Sequence, residues 1–192
     1  MNRKDFFKDD NNMSIITEWN GQNTNDVIAK WNQEVPNHVK EFDNYEEDRS
    51  AVIYFALFVE YHVNIAIGIL FPDFNSFLAN SSITTKINIL ASFRILPKQI
   101  FEACRCINNI RNEFAHEFNL KNMEQLANLD GERKKKTVDK LTMLTNDFLG
   151  DYEYEQTLDT IKNRFKSLCL NTITAFRIYE PQILIVRENL YK

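Results

Sequence analysis

The 192-residue chain has the length of one domain, so a single hydrophobic core is expected. Glycine and proline, four of each, are too scarce for an all-β sandwich with many tight turns. The 44% of hydrophobic residues argues against wholesale disorder, and a net charge of -4 argues against a strong overall attraction for nucleic acid. This composition favours a folded helical domain.

Polar residues dominate the start of the chain. Residues 1–22 are therefore expected to form an arm ending in a turn at Asn20 and Gly21, and residues 23–192 to form one helical domain. The first residues contain no apolar stretch of signal-peptide length, which predicts a cytoplasmic protein. Cys104 and Cys106 are only two positions apart, a spacing that suits neither a zinc site nor a redox pair. We therefore expect all three cysteines, Cys104, Cys106 and Cys169, to be reduced and buried thiols.

Two helices are predicted in the first third of the chain. The first begins at the cap candidate Thr24 or Asn25, and Pro36 is expected to end or kink it. The second extends from about Tyr45 to Leu70, is apolar on most sides and nearly has the length of a membrane span. This stretch is the most apolar part of the chain.

Polar groups in this apolar stretch exclude a membrane span. Glu60, His62 and Asn64 lie in its middle, where ionisable and amide groups would be costly in lipid without partners. We therefore predict a central core helix with no membrane contact. In that setting His62 is expected to be a hydrogen-bonded core histidine.

The second half of the chain continues the helical pattern. A short helix is expected around Ile83 to Ala91, followed by a longer one from about Lys98 to Phe118 whose core stripe includes Phe114 and Phe118. The mixed segment from Asn119 to Asp130 allows another short helix. The last two helices carry apolar residues at helical spacing: Val138, Leu141, Leu144 and Phe148 in the first, and Leu158, Ile161, Phe165, Leu168 and Phe176 in the second. Pro181 precedes a short apolar tail. The predicted fold is an all-α, single-domain bundle around a long apolar helix.

The helix ending near His116 has an unusual polar side. Projected at about 100° per residue, its core residues cluster on one side and its amides and basic groups on the other. Asn112 is expected to reach the His116 imidazole four residues later. Arg111 lies about 140° from His116 on an ideal helix, so a second copy of the helix is one way to bring them together. The polar side comprises Arg105, Asn108, Asn109, Asn112 and His116.

A cation beside an imidazole suits RNA cleavage. The imidazole can take the ribose 2′-hydroxyl proton or donate one to the leaving 5′-oxygen. A forked guanidinium can hold the phosphate and stabilise developing charge. The residue types alone leave another interpretation open, in which Arg111 pairs with a carboxylate such as Glu113 and His116 caps the helix C-terminus.

The segment Arg111-Asn112-Glu113-Phe114-Ala115-His116 resembles the R-N-x-x-x-H form of the Arg-x4–6-His motif of HEPN domains. Upstream, Asp48-Arg49-Ser50-Ala51-Val52 before the apolar helix, and Thr85-Lys86-Ile87 before the motif helix, are similar in order to the mannitol operon repressor (MltR-like) group. The resemblance covers about Asp48 to His116. It implies a HEPN-like helical bundle.

The resemblance also implies an activity. Many HEPN proteins are metal-independent endoribonucleases, including toxins and stress or antiphage effectors, in which two protomers set their motifs face to face. By that resemblance Arg111 and His116 would be catalytic, and Asn112, Asn108 and Glu60 would bind or orient the substrate. No metal or other cofactor is expected. The expected partners are a second copy of the chain through the motif helix, RNA, and an antitoxin or regulatory protein.

Two alternatives to the nuclease remain. One is a non-catalytic MltR-like helical regulator or partner-binding protein that keeps the motif for dimerisation. The other is a helical scaffold whose motif is only a helix-end cap.

Overall fold

The fold is described from a computed structural model, which describes residues 18–19, 22–45, 47–74, 78–128, 132–148 and 160–192. Strand β1 (Glu18–Trp19) pairs antiparallel with β2 (Gln22–Asn23). The predicted turn at Asn20 and Gly21, and the rest of the arm before residue 18, lie outside the described residues. From Thr24 onward the regular structure in the described ranges is helical.

Helix α1 (Thr24–Asn44) begins where the sequence predicts but does not end at Pro36. Of the two outcomes expected at this proline, an end or a kink of the helix, the end is wrong. A proline inside a helix removes one hydrogen bond and crowds the preceding turn. Packing outweighs that cost here, because Val35 and Phe42 on either side of the proline are buried in the core.

Helix α2 (Asp48–Leu70) is the predicted apolar helix and packs inside the bundle. Among the described ranges it is the one helix long and apolar enough to cross a membrane, a test that core helices also pass. Its buried residues recur along its whole length: Ala51, Val52, Phe55, Val59, Val63, Ala66, Ile67 and Leu70. The prediction of a long apolar helix in the bundle is confirmed.

Two helices follow a short 3-10 turn (Pro72–Phe74). Helix α3 (Ile83–Ser92) is capped by the Ser82 hydroxyl, which accepts a hydrogen bond from the Thr85 amide at 3.1 Å. Helix α4 (Lys98–His116) stops two residues before the predicted end. Phe118 therefore does not continue the core stripe and is 88% exposed, whereas Phe114 is fully buried.

Three helices complete the bundle: α5 (Met123–Asn128), α6 (Glu132–Phe148) and α7 (Ile161–Leu190). The predicted helical residue Leu158 lies outside the described residues. Helix α7 does not end before Pro181, and the expected apolar tail is part of the helix. Tyr179 and Ile183 on either side of Pro181 are buried, so packing holds this helix together as it does α1.

Helices α2 and α7 form the centre of the bundle. Helix α2 packs against α7, α4 and α3, and α7 also contacts α1, α6 and α4. The buried residues of all these helices belong to one cluster. The chain is therefore an all-α, single-domain bundle, as predicted.

Candidate functional site

The polar side of α4 lies at the surface beside its core stripe. Ile107, Ile110 and Phe114 are buried, while Asn109 and His116 are exposed. The remaining polar residues of the motif are half-buried: Arg105, Asn108, Arg111 and Asn112. The helical projection thus separates core from surface correctly for this helix.

Arg111 bonds to its neighbour. Its Nη1 donates to Oδ1 of Asn112 at 3.1 Å. The predicted contact of Asn112 with the His116 imidazole is wrong, since within the described part of the chain His116 has no hydrogen-bond partner. The Asn112 amide therefore orients the guanidinium and not the imidazole.

Three of the predicted site residues meet in one crevice between α2 and α4. Glu60, Asn108 and Arg111 line it, and it is narrow, with a volume of about 10 Å³, which is room for about one water molecule. Glu60 and Arg111 form no ion pair there, judged over the described residues. The rest of the lining is mainly apolar: Ala56, Val59, Val63, Ile83, Cys104 and Ile107. The structure thus brings Glu60, Asn108 and Arg111 together.

His116 stands apart from this crevice. It is the last residue of α4 and its side chain is exposed. Five helical residues separate it from Arg111 by about 140° and about 7.5 Å along the axis. Within one protomer the guanidinium and the imidazole therefore do not converge on one ligand.

The chain after His116 is held by the first turn of α2. Arg49 Nη2 donates to the backbone carbonyls of Glu117 at 2.6 Å and Leu120 at 3.1 Å. The neighbouring Asp48 carboxylate accepts a hydrogen bond of 2.8 Å from the backbone amide of Met123, at the start of α5. These two residues fix the loop that follows the motif helix at both of its ends.

Asp48 and Arg49 are positioning residues that reasoning from the motif did not identify. Asp48 is also paired with Lys162 of α7 at 2.7 Å, which ties the same turn to the other central helix. The signal in the sequence was an adjacent acid and base immediately before an apolar helix. Their distant partners could not be deduced from spacing, because 75 positions separate Asp48 from Met123.

His62 is buried as predicted but not hydrogen-bonded as predicted. It is 5% exposed, and its Nε2 has no hydrogen-bond partner among the described residues. Burial, together with the nearby charges of Arg177 and His38, lowers its pKa to about 4. At neutral pH His62 is therefore an uncharged imidazole with an unused polar atom.

The thiols are unreactive. Cys104, Cys106 and Cys169 are free and buried, as predicted. Burial raises the pKa of Cys104 and of Cys106 to about 12 and raises that of Cys169 as well. Over the described residues, no three His, Cys, Asp or Glu side chains are grouped to hold a metal ion.

Acidic and amide groups share the surface around the motif. The guanidinium of Arg105 donates to Asn88 of α3 at 2.9 Å, and Lys140 of α6 pairs with Glu102 near the other end of α4. Arg111 is thus the basic group of α4 that lines the crevice.

Comparisons of this chain with protein-family models, with curated proteins and with solved structures find no match.

Proposed function

We propose that this protein is a metal-independent endoribonuclease of the HEPN type, a cytoplasmic toxin or a stress or antiphage effector. It acts as a homodimer in which His116 and Arg111 of two motif helices form a composite RNA site. The observation that carries the proposal is the state of His116: an exposed imidazole without a partner in the described chain, at the end of an anchored helix.

The exposure of His116 supports a chemical role. A histidine that serves only the fold is usually packed or hydrogen-bonded, whereas a general acid or base must reach its substrate. The bonds from Arg49 to Glu117 and Leu120 limit the motion of the chain just beyond the imidazole. A fixed frame of this kind is what a positioned proton-transfer group needs.

The environment of Arg111 supports phosphate binding. Its guanidinium carries five N–H donors, and Asn112 takes one hydrogen bond. Arg111 has no carboxylate partner in the described chain, so its charge is available to an anion. Asn108, which lines the same crevice, adds an amide for orienting RNA, and Glu60 marks the crevice's acidic edge.

A second copy of the chain resolves the geometry. The 140° between Arg111 and His116 prevents convergence on one helix, but antiparallel packing of two motif helices about a twofold axis would set each imidazole beside the other copy's guanidinium. The exposed residues Asn109 and Ala115 leave this side of α4 open to such a contact. The homodimer is therefore part of the proposal.

The reaction is transesterification within RNA. The ribose 2′-oxygen attacks the adjacent phosphorus as its proton passes to a base, and the bond to the 5′-oxygen breaks as that oxygen receives a proton. The products are a 2′,3′-cyclic phosphate and a 5′-hydroxyl end. His116 takes the proton of the 2′-hydroxyl or donates a proton to the leaving 5′-oxygen. Arg111 stabilises the charge on the phosphate oxygens.

The test compares RNA cleavage by the wild type with that by His116→Ala and Arg111→Ala, in excess chelator. Losing a general acid or base lowers the rate by about 10²- to 10⁴-fold. We expect both variants to lose cleavage while their dimers persist in analytical ultracentrifugation. Arg187→Ala is the matched control, because Arg187 is exposed near the end of α7. Equal cleavage by His116→Ala, or a wild type that stays monomeric, would refute the proposal.

One observation favours the alternative, a non-catalytic helical regulator or partner-binding protein. Arg111 and Asn112 are bonded to each other and half-buried, as in a motif kept for shape. This alternative predicts that His116→Ala leaves any cellular effect unchanged. Growth of cells expressing each variant separates the two functions.

A further inference from the structure

A second cavity lies between the two central helices. Its volume is about 270 Å³, whereas an engineered cavity of about 150 Å³ can hold benzene. Helix α2 contributes Tyr61 and His62, and α7 contributes Arg177 and Glu180. The remaining lining is apolar: Ile65, Ala66, Ile69, Phe176 and Ile183. The cavity is therefore large enough for an aromatic ring with a short polar chain.

This cavity is distinct from the proposed RNA site. Glu60, in the crevice against α4, and His62 are two residues apart on α2, which places them about 200° apart around the helix. The cavity thus opens on the other side of α2. An inference about its ligand does not depend on RNA cleavage.

A buried polar atom of a residue that lines this cavity has no hydrogen-bond partner among the described residues. His62 lines it and is 95% buried, yet its Nε2 has no hydrogen-bond partner in the described ranges. A buried polar atom without a partner costs free energy, and native proteins leave few of them. A ligand that hydrogen-bonds to the imidazole would remove this cost.

The charges around the cavity favour a cation. The Arg177 guanidinium forms an ion pair with Glu34 of α1 through Nη1, which lies 3.2 Å from Oε2 of Glu34. The Glu180 carboxylate has no partner among the described residues. His62 is neutral at pH 7, and the other nearby histidine, His38 of α1, contacts Glu41. Once Glu34, outside the lining, is set against Arg177, the Glu180 carboxylate is the charge of the lining that no partner balances among the described residues.

An aromatic ring stands at the cavity's edge. Tyr61 is 58% exposed, and its ring packs edge-on against the His62 imidazole with centroids 5.5 Å apart. The face of a tyrosine ring attracts an organic cation. The exposed ring and the free carboxylate are complementary to the same kind of ligand.

We propose that this cavity binds a small organic cation with an apolar body, of the arylalkylamine class. The ammonium group pairs with Glu180 near the Tyr61 ring, and the aromatic part lies against Ile65, Ile69 and Phe176. The His62 imidazole supplies a hydrogen bond to a polar atom of the ligand. Recognition is non-covalent, and Arg177, held by Glu34, disfavours a second positive charge on the ligand.

The experiment measures binding of phenethylamine and tryptamine to the full chain by calorimetry and by ligand-observed NMR. Phenylacetate, with the opposite charge, and ethylbenzene, with none, are the matched probes. We expect the amines to bind at least about tenfold more tightly than phenylacetate, because an ion pair replaces a repulsion. The His62 ring signals should shift on addition of either amine.

Variants locate the ligand. Glu180→Gln keeps the shape of the side chain and should weaken amine binding about tenfold, while Glu188→Gln, at an exposed position of the same helix, should leave it unchanged. Ala66→Leu fills the cavity and should abolish binding of all the probes, with circular dichroism used to verify its fold. Tighter binding of phenylacetate, indifference of the amines to Glu180→Gln, or no binding at millimolar concentration would overturn the proposal.

Discussion

The guanidinium of Arg49 donates a hydrogen bond of 2.6 Å to the backbone carbonyl of Glu117, 68 positions further along the chain. The same nitrogen reaches the carbonyl of Leu120 at 3.1 Å. Carbonyls near a helix C-terminus lack partners within the helix and attract cations. The first turn of α2 therefore completes the end of α4 and fixes the backbone that follows His116.

Replacing Arg49 should loosen this loop. Hydrogen bonds that involve a charged group contribute about 1.5–3 kcal/mol, so Arg49→Ala is expected to lower the free energy of unfolding by about 2–3 kcal/mol. Urea denaturation measures this change. Hydrogen exchange should show faster exchange of the amides of residues 117–122. Arg187→Ala, an exposed arginine on α7, should change neither quantity, and equal effects of the two variants would contradict this role for Arg49.

The buried imidazole of His62 should make stability depend on pH. Its pKa is about 4 in the folded chain and 6.5 in the reference state, so between these values the unfolded chain binds a proton that the folded chain does not. The contribution to stability is complete above pH 6.5 and is lost as the pH falls towards 4. Between about pH 7 and pH 4.5 the wild type should lose about 2–3 kcal/mol more than His62→Gln. Parallel pH profiles of the two proteins would rule out the buried imidazole as the cause.

Arg94 has the left-handed backbone that usually favours glycine after a helix. Its φ is 52°, two positions beyond the end of α3, and its amide bonds to the carbonyl of Ala91 at 3.1 Å. Arg94→Gly should therefore be about 1 kcal/mol more stable than Arg94→Ala, because alanine keeps the Cβ clash that glycine removes. Thermal denaturation of the two variants tests this. The left-handed turn would be irrelevant to stability if alanine were the better substitute.

Two phenylalanines near the end of α4 should differ sharply in their effect. Phe114 is fully buried, so Phe114→Ala should cost about 3–5 kcal/mol through lost contacts and a cavity. Phe118 is 88% exposed, so Phe118→Ala should change stability by less than about 0.5 kcal/mol. Chemical denaturation at low protein concentration compares them. Similar losses would mean that the helix extends beyond His116.

These two residues also show what periodicity predicts and what it does not. The apolar spacing of α4 identifies Phe114 as core, because burial repeats with the helical period. The same period continues to Phe118 in the sequence, but the helix ends at His116, where Arg49 provides a distant cap. A helix end fixed by a partner 68 positions away leaves no local pattern to recognise.

At two prolines, in contrast, a local pattern is present in the sequence but tertiary packing overrides it. On local grounds Pro36 predicts an end or a kink of the helix and Pro181 precedes an apolar tail, yet α1 and α7 continue through these prolines. A proline in a helix carries a local free-energy cost, but whether buried neighbours such as Phe42 and Tyr179 outweigh that cost depends on tertiary packing. The type of α1 and α7 was thus predictable from the sequence, while their length depends on tertiary packing.

In the candidate site, too, some features can be predicted from the sequence and others depend on tertiary packing. The polar side of α4 follows from helical projection, and the separation of Arg111 from His116 is a consequence of five residues on one helix. The pairing of Arg111 with Asn112 and the meeting with Glu60 in one crevice depend on side-chain torsions and on how α2 and α4 pack. The cavity beside His62 also depends on the packing of distant segments, and no spacing in the sequence indicates it.

The sealed thiols make the native chain a ready background for chemical labelling. With Cys104, Cys106 and Cys169 buried and held in their protonated form, a maleimide should leave the folded wild type unmodified. A single new cysteine at the exposed Ala115→Cys position would then carry all the label, directly beside His116. Attached spin labels or fluorophores would report the distance between motif helices of two copies without removal of any native side chain from the core.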